Sequence, residues 1–158
     1  MDLPATDTVR SSIVVDAPVE KAFSVFTEGI GTWFPSEYNI LGVDIAERVF
    51  EPRVGGDIYD RGVDGSECRW GRVLAYEPPD RVVFGWRLSP SFAVESDDDR
   101  TSEVEVRFVP EAQGGTRVEL EHRHLERHGE DWEQARASLG GEGGWGFCLQ
   151  RFAEAIGG

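Results

Sequence analysis

The last stretch of the chain, Gly144 to Ile156, constrains the fold more than any other part of the sequence. Its large apolar residues recur at the spacing of a helix with one buried face; they are Trp145, Leu149, Phe152 and Ile156. Burying four such side chains, at roughly 1.5 to 3 kcal/mol each, is worth on the order of 10 kcal/mol. An isolated helix of this length cannot gain that free energy. The rest of the chain must therefore supply a large apolar surface.

The charge balance restricts the partners of the protein. The chain has 16 basic and 30 acidic residues and a net charge of −14. A molecule with this average field repels polyanions, so we expect neither nucleic acid nor an anionic membrane surface as a partner. A sequence with 39% hydrophobic and 29% charged residues is typical of globular proteins.

Two features bear on the compartment. The sequence has no apolar run long enough to span a membrane, and its first residues lack the basic start and apolar middle of a signal peptide. Cys68 and Cys148 are too few and too far apart for a disulfide framework, so we expect two free thiols. We therefore expect a cytoplasmic protein with no membrane insertion.

The N-terminal part predicts a strand and two short helices. Arg10 to Asp16 is rich in β-forming residues, and Pro18 suits the first position of a helix. A second, shorter helical piece holds Trp33 and Phe34 and should end at Pro35. These two aromatic residues could fill the core or form the wall of a pocket. The first helix has a core-facing stripe of Val19, Ala22, Phe23 and Phe26.

Alternating apolar and polar residues predict six further strands from Val43 onward. Because the alternation is regular, we expect antiparallel strands with one wet and one dry face. Residues 89–100, with the run Asp97 to Asp99, should be a solvated loop, and residues 125–137 should be partly helical. The predicted strands are Val43–Glu51, Asp57–Arg61, Glu67–Tyr76, Arg81–Leu88, one containing Val104, Val106 and Phe108, and one containing Val118, Leu120, His122 and His124.

Together these elements predict an α+β fold. A sheet of about seven antiparallel strands with one apolar face curls, and the long C-terminal helix can lie across its concave side. The two short helices follow the first strand. We expect residues 1–8 to be a tail and residues 9–157 to form one domain.

Several passages, taken in order, resemble the START/Bet v 1-like (SRPBCC) superfamily, and within it the homologues of the activator of heat-shock-protein-90 ATPase. The resemblance covers residues 9–157 and implies a helix-grip fold with a cavity between sheet and helix, which in the superfamily often holds hydrophobic molecules. The passages are Ala17 to Phe23, Gly55-Gly56, Gly71 to Val73, Glu77 to Arg81, Phe84-Gly85-Trp86, Val118 to His122 and Gly144-Trp145.

Aromatic residues on the elements that should face the concave side suggest a ligand site. Flat rings interspersed with a few polar groups are what an apolar ligand requires. The same rings could instead fill the core, and the resemblance favours an open cavity. The predicted lining consists of Trp33, Phe34, Trp70, Phe84, Trp86, His122, Trp145, Leu149 and Phe152.

The three histidines fall in one short piece, His122, His124 and His128. Two imidazoles at alternate strand positions project to one side and can hold zinc when a third ligand is present, but the spacing supplies no third ligand. His122, similar to a position often held by histidine in the family, could hydrogen-bond a ligand or act as an acid or base. We therefore expect no metal and assign no catalytic residue.

The sequence has no nucleophile elbow, phosphate-binding loop, metalloprotease motif or dinucleotide fingerprint. Our first hypothesis is a protein that binds a hydrophobic or aromatic small molecule without a cofactor. A cyclase or hydrolase with dispersed cavity residues remains an alternative, as does a chaperone-interacting module, which the resemblance implies. A monomer and a homodimer are both compatible with the sequence.

Overall fold

Seven strands form one antiparallel sheet in the computed structural model, which describes residues 8–34, 42–88, 100–129, 132–141 and 144–157. The order across the sheet is β1-β7-β6-β5-β4-β3-β2, so β1 and β2 are the edges. The curved sheet and C-terminal helix confirm the predicted α+β helix-grip class. The strands are β1 Val9–Val15, β2 Ile45–Phe50, β3 Asp57–Gly62, β4 Glu67–Glu77, β5 Arg81–Trp86, β6 Ser102–Pro110 and β7 Thr116–Arg123.

The described residues form three α-helices, α1 Val19–Phe26, α2 Trp132–Gly140 and α3 Trp145–Gly157. The predicted second helical piece is a 3-10 turn, Ile30–Thr32, which ends before the two aromatic residues it was expected to carry. Another 3-10 turn, Leu125–His128, precedes α2. The segment predicted to be partly helical therefore forms two separate short elements.

Helix α3 lies against the concave face, as its apolar stripe requires. Its first residue, Trp145, contacts the Trp86 ring of β5 with ring centroids 5.4 Å apart. One end of the stripe thus meets the sheet and the middle meets α1, where Phe152 lies 5.5 Å from Phe26. Residue 144, directly before α3, must be a glycine, because a Cβ at this position would overlap the carbonyl oxygen of Leu139. All four predicted stripe residues are buried.

The convex face is less exposed to solvent than the alternation of the strands predicts. Glu105 of β6 points outward but is only 6% exposed, because three arginines on neighbouring strand positions cover it. Arg81, Arg123 and Arg107 donate to its carboxylate at 2.5, 2.6 and 3.1 Å. Burial raises the pKa of this carboxyl, but the three hydrogen bonds outweigh burial and lower the pKa to about 2. Glu105 is therefore buried on the face that the alternation of its strand predicts to be wet.

Some sequence predictions lie outside the described residues. These are the tail before residue 8, the helix end at Pro35, and the predicted loop from 89 to 99 with its run of aspartates. Within the described part of the chain, no helix is both long enough and apolar enough to cross a bilayer.

Candidate functional site

A row of inward-facing residues crosses the concave face at one end of the sheet. Alternate residues of a strand share a face, and the strand register aligns Arg48 with Asp60, and Trp86 with Ser102. Gly71, next to Trp70, aligns with Trp86. We call these residues the concave row; they are Arg48 of β2, Asp60 of β3, Trp70 of β4, Trp86 of β5, Ser102 of β6 and His122 of β7.

Aromatic rings form the centre of the concave row. Trp86 contacts the rings of Trp70 and His122, with centroids 5.7 and 5.3 Å apart, as well as that of Trp145 on α3. On the far side of Trp70, the Phe34 ring stacks at 5.0 Å with an interplanar angle of 27°. The rings therefore form a continuous wall from the loop before β2 to α3.

The structure buries all nine of the predicted lining residues. Eight of them belong to one hydrophobic core cluster, and the ninth, His122, contacts this cluster through the rings of Trp86 and Trp145. Trp33 and Phe152 contact each other, with ring centroids 5.5 Å apart, and Leu149 joins the cluster from α3. Phe84 contacts Trp70 at 6.4 Å. Since the rings pack on one another as in a protein core, a ligand must separate some of them to enter. Ligand binding by these residues is a prediction.

A hydrogen-bonded chain of four buried groups occupies one end of the concave row. We call Trp145, His122, Ser102 and His128 the histidine end. The indole Nε1–H of Trp145 donates to Nδ1 of His122 at 3.0 Å, so that Nδ1 carries no proton. Neutral His122 therefore carries its proton on Nε2, which donates to Oγ of Ser102, 2.6 Å away. The Ser102 hydroxyl in turn donates to Nε2 of His128 at 2.7 Å.

Within the histidine end, the His122 side chain is uncharged. Burial lowers the pKa of His122, which is 0% exposed, and the nearby charge of a protonated His128 lowers it further, to about 3. The ring is therefore neutral near physiological pH and keeps one donor and one acceptor nitrogen. A hydroxyl held between two imidazoles in a dry site is an arrangement that can move protons.

His124 does not join this cluster. The sequence pattern predicts that it projects to the same side as His122, but the backbone turns left-handed at His124, with φ 62°, and the side chain is partly exposed next to Glu126. The predicted pairing of the two imidazoles was wrong because the strand ends at Arg123. In the described part of the chain no three His, Cys, Asp or Glu side chains are arranged to hold a metal ion.

An ion pair occupies the other end of the concave row. Arg48 and Asp60 have side chains that are 5% and 2% exposed, and Nε of Arg48 lies 3.0 Å from Oδ1 of Asp60. The Trp70 indole donates to the same oxygen at 3.1 Å. The Arg48 guanidinium also donates to the Phe34 carbonyl and lies 4.9 Å from the centroid of the Phe34 ring. We call Arg48, Asp60, Trp70 and Phe34 the acidic end.

The two cysteines are buried free thiols, as predicted. Cys68 lies opposite Asp60 on β4. Burial raises the pKa of the Cys68 thiol, and the Asp60 charge raises it further, to about 11. The thiol is therefore protonated at neutral pH and is a poor nucleophile.

Sequence reasoning missed Arg48, Asp60, Ser102 and His128. Strand alternation could have placed the first three on the inner face, because each lies two positions from a buried apolar residue: Arg48 from Phe50, Asp60 from Ile58, and Ser102 from Val104. His128 carries no such signal, since it lies on a 3-10 turn beyond the last strand.

Comparisons with known proteins agree with this architecture. The family model for Activator of Hsp90 ATPase homolog 1-like protein matches residues 16–157. A solved structure described as an anthrahydroquino-γ-pyrone synthase, Txn09, is 44% identical, with coverage of 94% of this chain and 96% of that one and a TM-score of 0.66. No curated protein matches.

Two further solved structures are similar. The self-sacrificing resistance protein CalC from Micromonospora echinospora is 34% identical, with coverage of 96% of this chain and 95% of that one and a TM-score of 0.71. A protein from Nitrosomonas europaea is 16% identical, with coverage of 99% and 97% and a TM-score of 0.67, and this likeness concerns the fold alone.

Proposed function

Since this chain belongs to the Activator of Hsp90 ATPase homolog 1-like family, we propose that it binds a planar, oxygen-bearing aromatic molecule between its sheet and α3. The observation that carries this proposal is the concave row, in which aromatic rings lie between two hydrogen-bonding ends. Flat apolar walls bind planar rings, and a few fixed polar groups orient them.

The dimensions of the concave row favour a molecule of about three fused rings. Trp70 and Trp86 lie 5.7 Å apart between centroids, and Trp86 and His122 lie 5.3 Å apart. Three fused six-membered rings have a comparable length, so that one molecule can approach both the acidic and the histidine end. The polar atoms at these ends would meet its oxygen substituents.

The relatives support the same class of ligand. The name of the 44% identical relative denotes a synthase whose product combines an anthrahydroquinone with a γ-pyrone, a fused aromatic system with oxygen substituents. The 34% identical relative is named as a resistance protein. We expect this chain to share the ligand class of the synthase, and sequence similarity over nearly the whole chain supports that expectation.

Titration of the protein with 2-hydroxyanthraquinone, followed by quenching of tryptophan fluorescence and by calorimetry, tests the proposal. We expect saturable binding that Trp86→Leu weakens by at least about tenfold, as expected for loss of one central aromatic contact. Tyr59→Leu is the matched control, because Tyr59 lies on the convex face between Arg61 and Arg69. Absence of saturable binding to the wild-type protein would refute the proposal.

A second candidate is proton-transfer catalysis on the same molecule, for example in a ring closure. It is favoured by the histidine end, where Oγ of Ser102 lies 2.6 and 2.7 Å from two imidazole nitrogens. Such a group could deliver or remove a proton at a ligand oxygen. Unchanged turnover in His122→Ala, with His124→Ala as the control outside the histidine end, would count against a role for His122.

A further inference from the structure

The hydrogen bonds of the histidine end run in one direction. The indole N–H of Trp145 can only donate, so Nδ1 of His122 must accept, at 3.0 Å. The proton of neutral His122 is then on Nε2 and points at Oγ of Ser102, 2.6 Å away. The Ser102 hydrogen is left with Nε2 of His128 as its acceptor, at 2.7 Å. Of the two imidazole nitrogens that face Ser102, only that of His128 therefore carries no proton.

His122 cannot serve as a base in this arrangement. Both of its ring nitrogens are engaged, Nδ1 as an acceptor from Trp145 and Nε2 as a donor to Ser102. Burial lowers the pKa of His122, and the charge of a protonated His128 lowers it further, to about 3. A proton added to this pair of imidazoles therefore goes to His128. The role left to His122 is that of a hydrogen-bond donor, which stabilises negative charge on Oγ of Ser102.

Ser102 lies next to the central ring of the aromatic wall. It is aligned with Trp86 across β5 and β6, and side chains at directly opposite positions of antiparallel strands are neighbours. A hydroxyl oxygen has two acceptor positions, and the N–H of His122 fills one of them. In the part of the chain that the structure describes, nothing else donates to this oxygen. The second position can therefore accept a hydrogen from the hydroxyl of a ligand that lies against Trp86.

We propose that the histidine end ionises a phenolic hydroxyl of the bound ligand, with Ser102 as the contact and His128 as the base. The O–H bond of the ligand breaks and its proton forms a new O–H bond at Oγ, while the original Ser102 proton moves to Nε2 of His128. The electron pair of the broken bond stays on the ligand oxygen, so the products are a phenolate and an imidazolium. The inference rests on the proposed function and adds to it the base, the direction of proton transfer and the ligand group that reacts.

Trp145 is a positioning residue for this proton transfer, since it acts only through His122. Without the indole N–H the His122 proton can move to Nδ1, and Nε2 of His122 then competes with His128 for the Ser102 hydrogen. In 15N spectra of the imidazole nitrogens, the wild-type protein should show His122 with its proton on Nε2 alone. Trp145→Phe keeps a ring but removes the donor, and should give a mixture of both tautomers. Trp132→Phe on α2 is the matched control and should leave the His122 signals in place.

Binding of 2-hydroxyanthraquinone at pH 7 tests the proton transfer, because the phenolate of this probe absorbs at longer wavelength than the phenol. Burial alone disfavours the charged phenolate, so a pocket without a base lowers the ratio of phenolate to phenol relative to the free probe. With His128 as the base, we expect a ratio for the bound probe at least about tenfold above that of the free probe, which corresponds to one pKa unit. His128→Gln supplies no base, so its ratio should fall below that of the free probe. His124→Gln is the matched control and should behave as the wild type.

His122→Gln separates the roles of the two histidines. Glutamine is no base either, but it can still donate to Ser102, so the ratio should fall less than in His128→Gln. Ser102→Ala interrupts the transfer without changing either histidine and should also bring the ratio below that of the free probe, which keeps the test valid if a histidine variant does not fold.

Three results would overturn the inference and leave the proposed function intact. They are a wild-type His122 with its proton on Nδ1, a wild-type ratio at or below that of the free probe, and a larger effect of His122→Gln than of His128→Gln. Absence of saturable binding of the probe would instead refute the proposed function and the inference together.

Discussion

Acid should lower the free energy of unfolding of this protein because of His122. This loss should begin at pH values well above those at which the carboxylates become protonated. The pKa of His122 is about 3 in the folded protein, against an ordinary value of 6.5 that applies to an unfolded chain. Between these values the unfolded chain binds a proton that the folded one does not, so the free energy of unfolding falls as the pH falls. The slope is about 1.4 kcal/mol per pH unit, which gives a loss of about 2 kcal/mol between pH 7 and pH 5.

Urea denaturation followed by tryptophan fluorescence at pH 7, 6 and 5 measures this loss. The His122→Gln variant, which cannot titrate there, should be less stable at pH 7 and should show a shallower dependence on pH. His124→Gln, which replaces a partly exposed histidine just beyond the strand, should keep the steep dependence because His122 is intact. Glu105 does not affect the difference in the free energy of unfolding between pH 7 and pH 5. Because its pKa is about 2, its contribution to stability is lost only between pH 4.5 and 2. A free energy of unfolding that is equal at pH 7 and pH 5 would refute the reasoning.

Three further changes test other parts of the structure. Phe152→Ala removes a fully buried ring between α3 and α1 and should cost about 3 to 5 kcal/mol in urea denaturation; a loss below about 1 kcal/mol would contradict the placement of the helix. Glu105→Gln should cost about 2 kcal/mol at pH 7 because it removes the charge under three arginines, and this difference should shrink toward pH 2. Cys68 and Cys148 should react with a thiol reagent only after unfolding, and stoichiometric labelling of the native protein would show that they are exposed.

The fold could be predicted from the sequence because its signals are local. The helical spacing of Trp145 and Phe152 marks a buried face, and the alternation through Val118 and Leu120 marks an inner strand face. Both patterns predict burial without knowledge of the neighbours. The rings of the wall on the strands and on α3 could be predicted in the same way, since each occupies an inward position on its own element. Phe34 follows the 3-10 turn Ile30–Thr32 and carries no such signal.

Strand alternation can place Asp60 and Ser102 on the inner face, but the hydrogen bonds of the polar ends could not be predicted, because they depend on contacts between distant elements. Asp60 meets Arg48 only through the register of β2 on β3, and a one-residue shift of β2 would turn Arg48 to the opposite face. His128 reaches Ser102 only because the backbone turns at His124. Glu105 is buried by the side chains of three arginines, which alternation along its own strand does not reveal.

The indole N–H signals of the five tryptophans in a 1H–15N spectrum report most directly on the proposed ligand site. Trp70, Trp86 and Trp145 belong to the wall or its polar ends, whereas Trp132 lies on α2 and is only partly buried. On addition of 2-hydroxyanthraquinone we expect the signals of Trp70, Trp86 and Trp145 to shift and that of Trp132 to stay in place. If the ligand binds without moving the three wall signals, it binds elsewhere and the account is wrong.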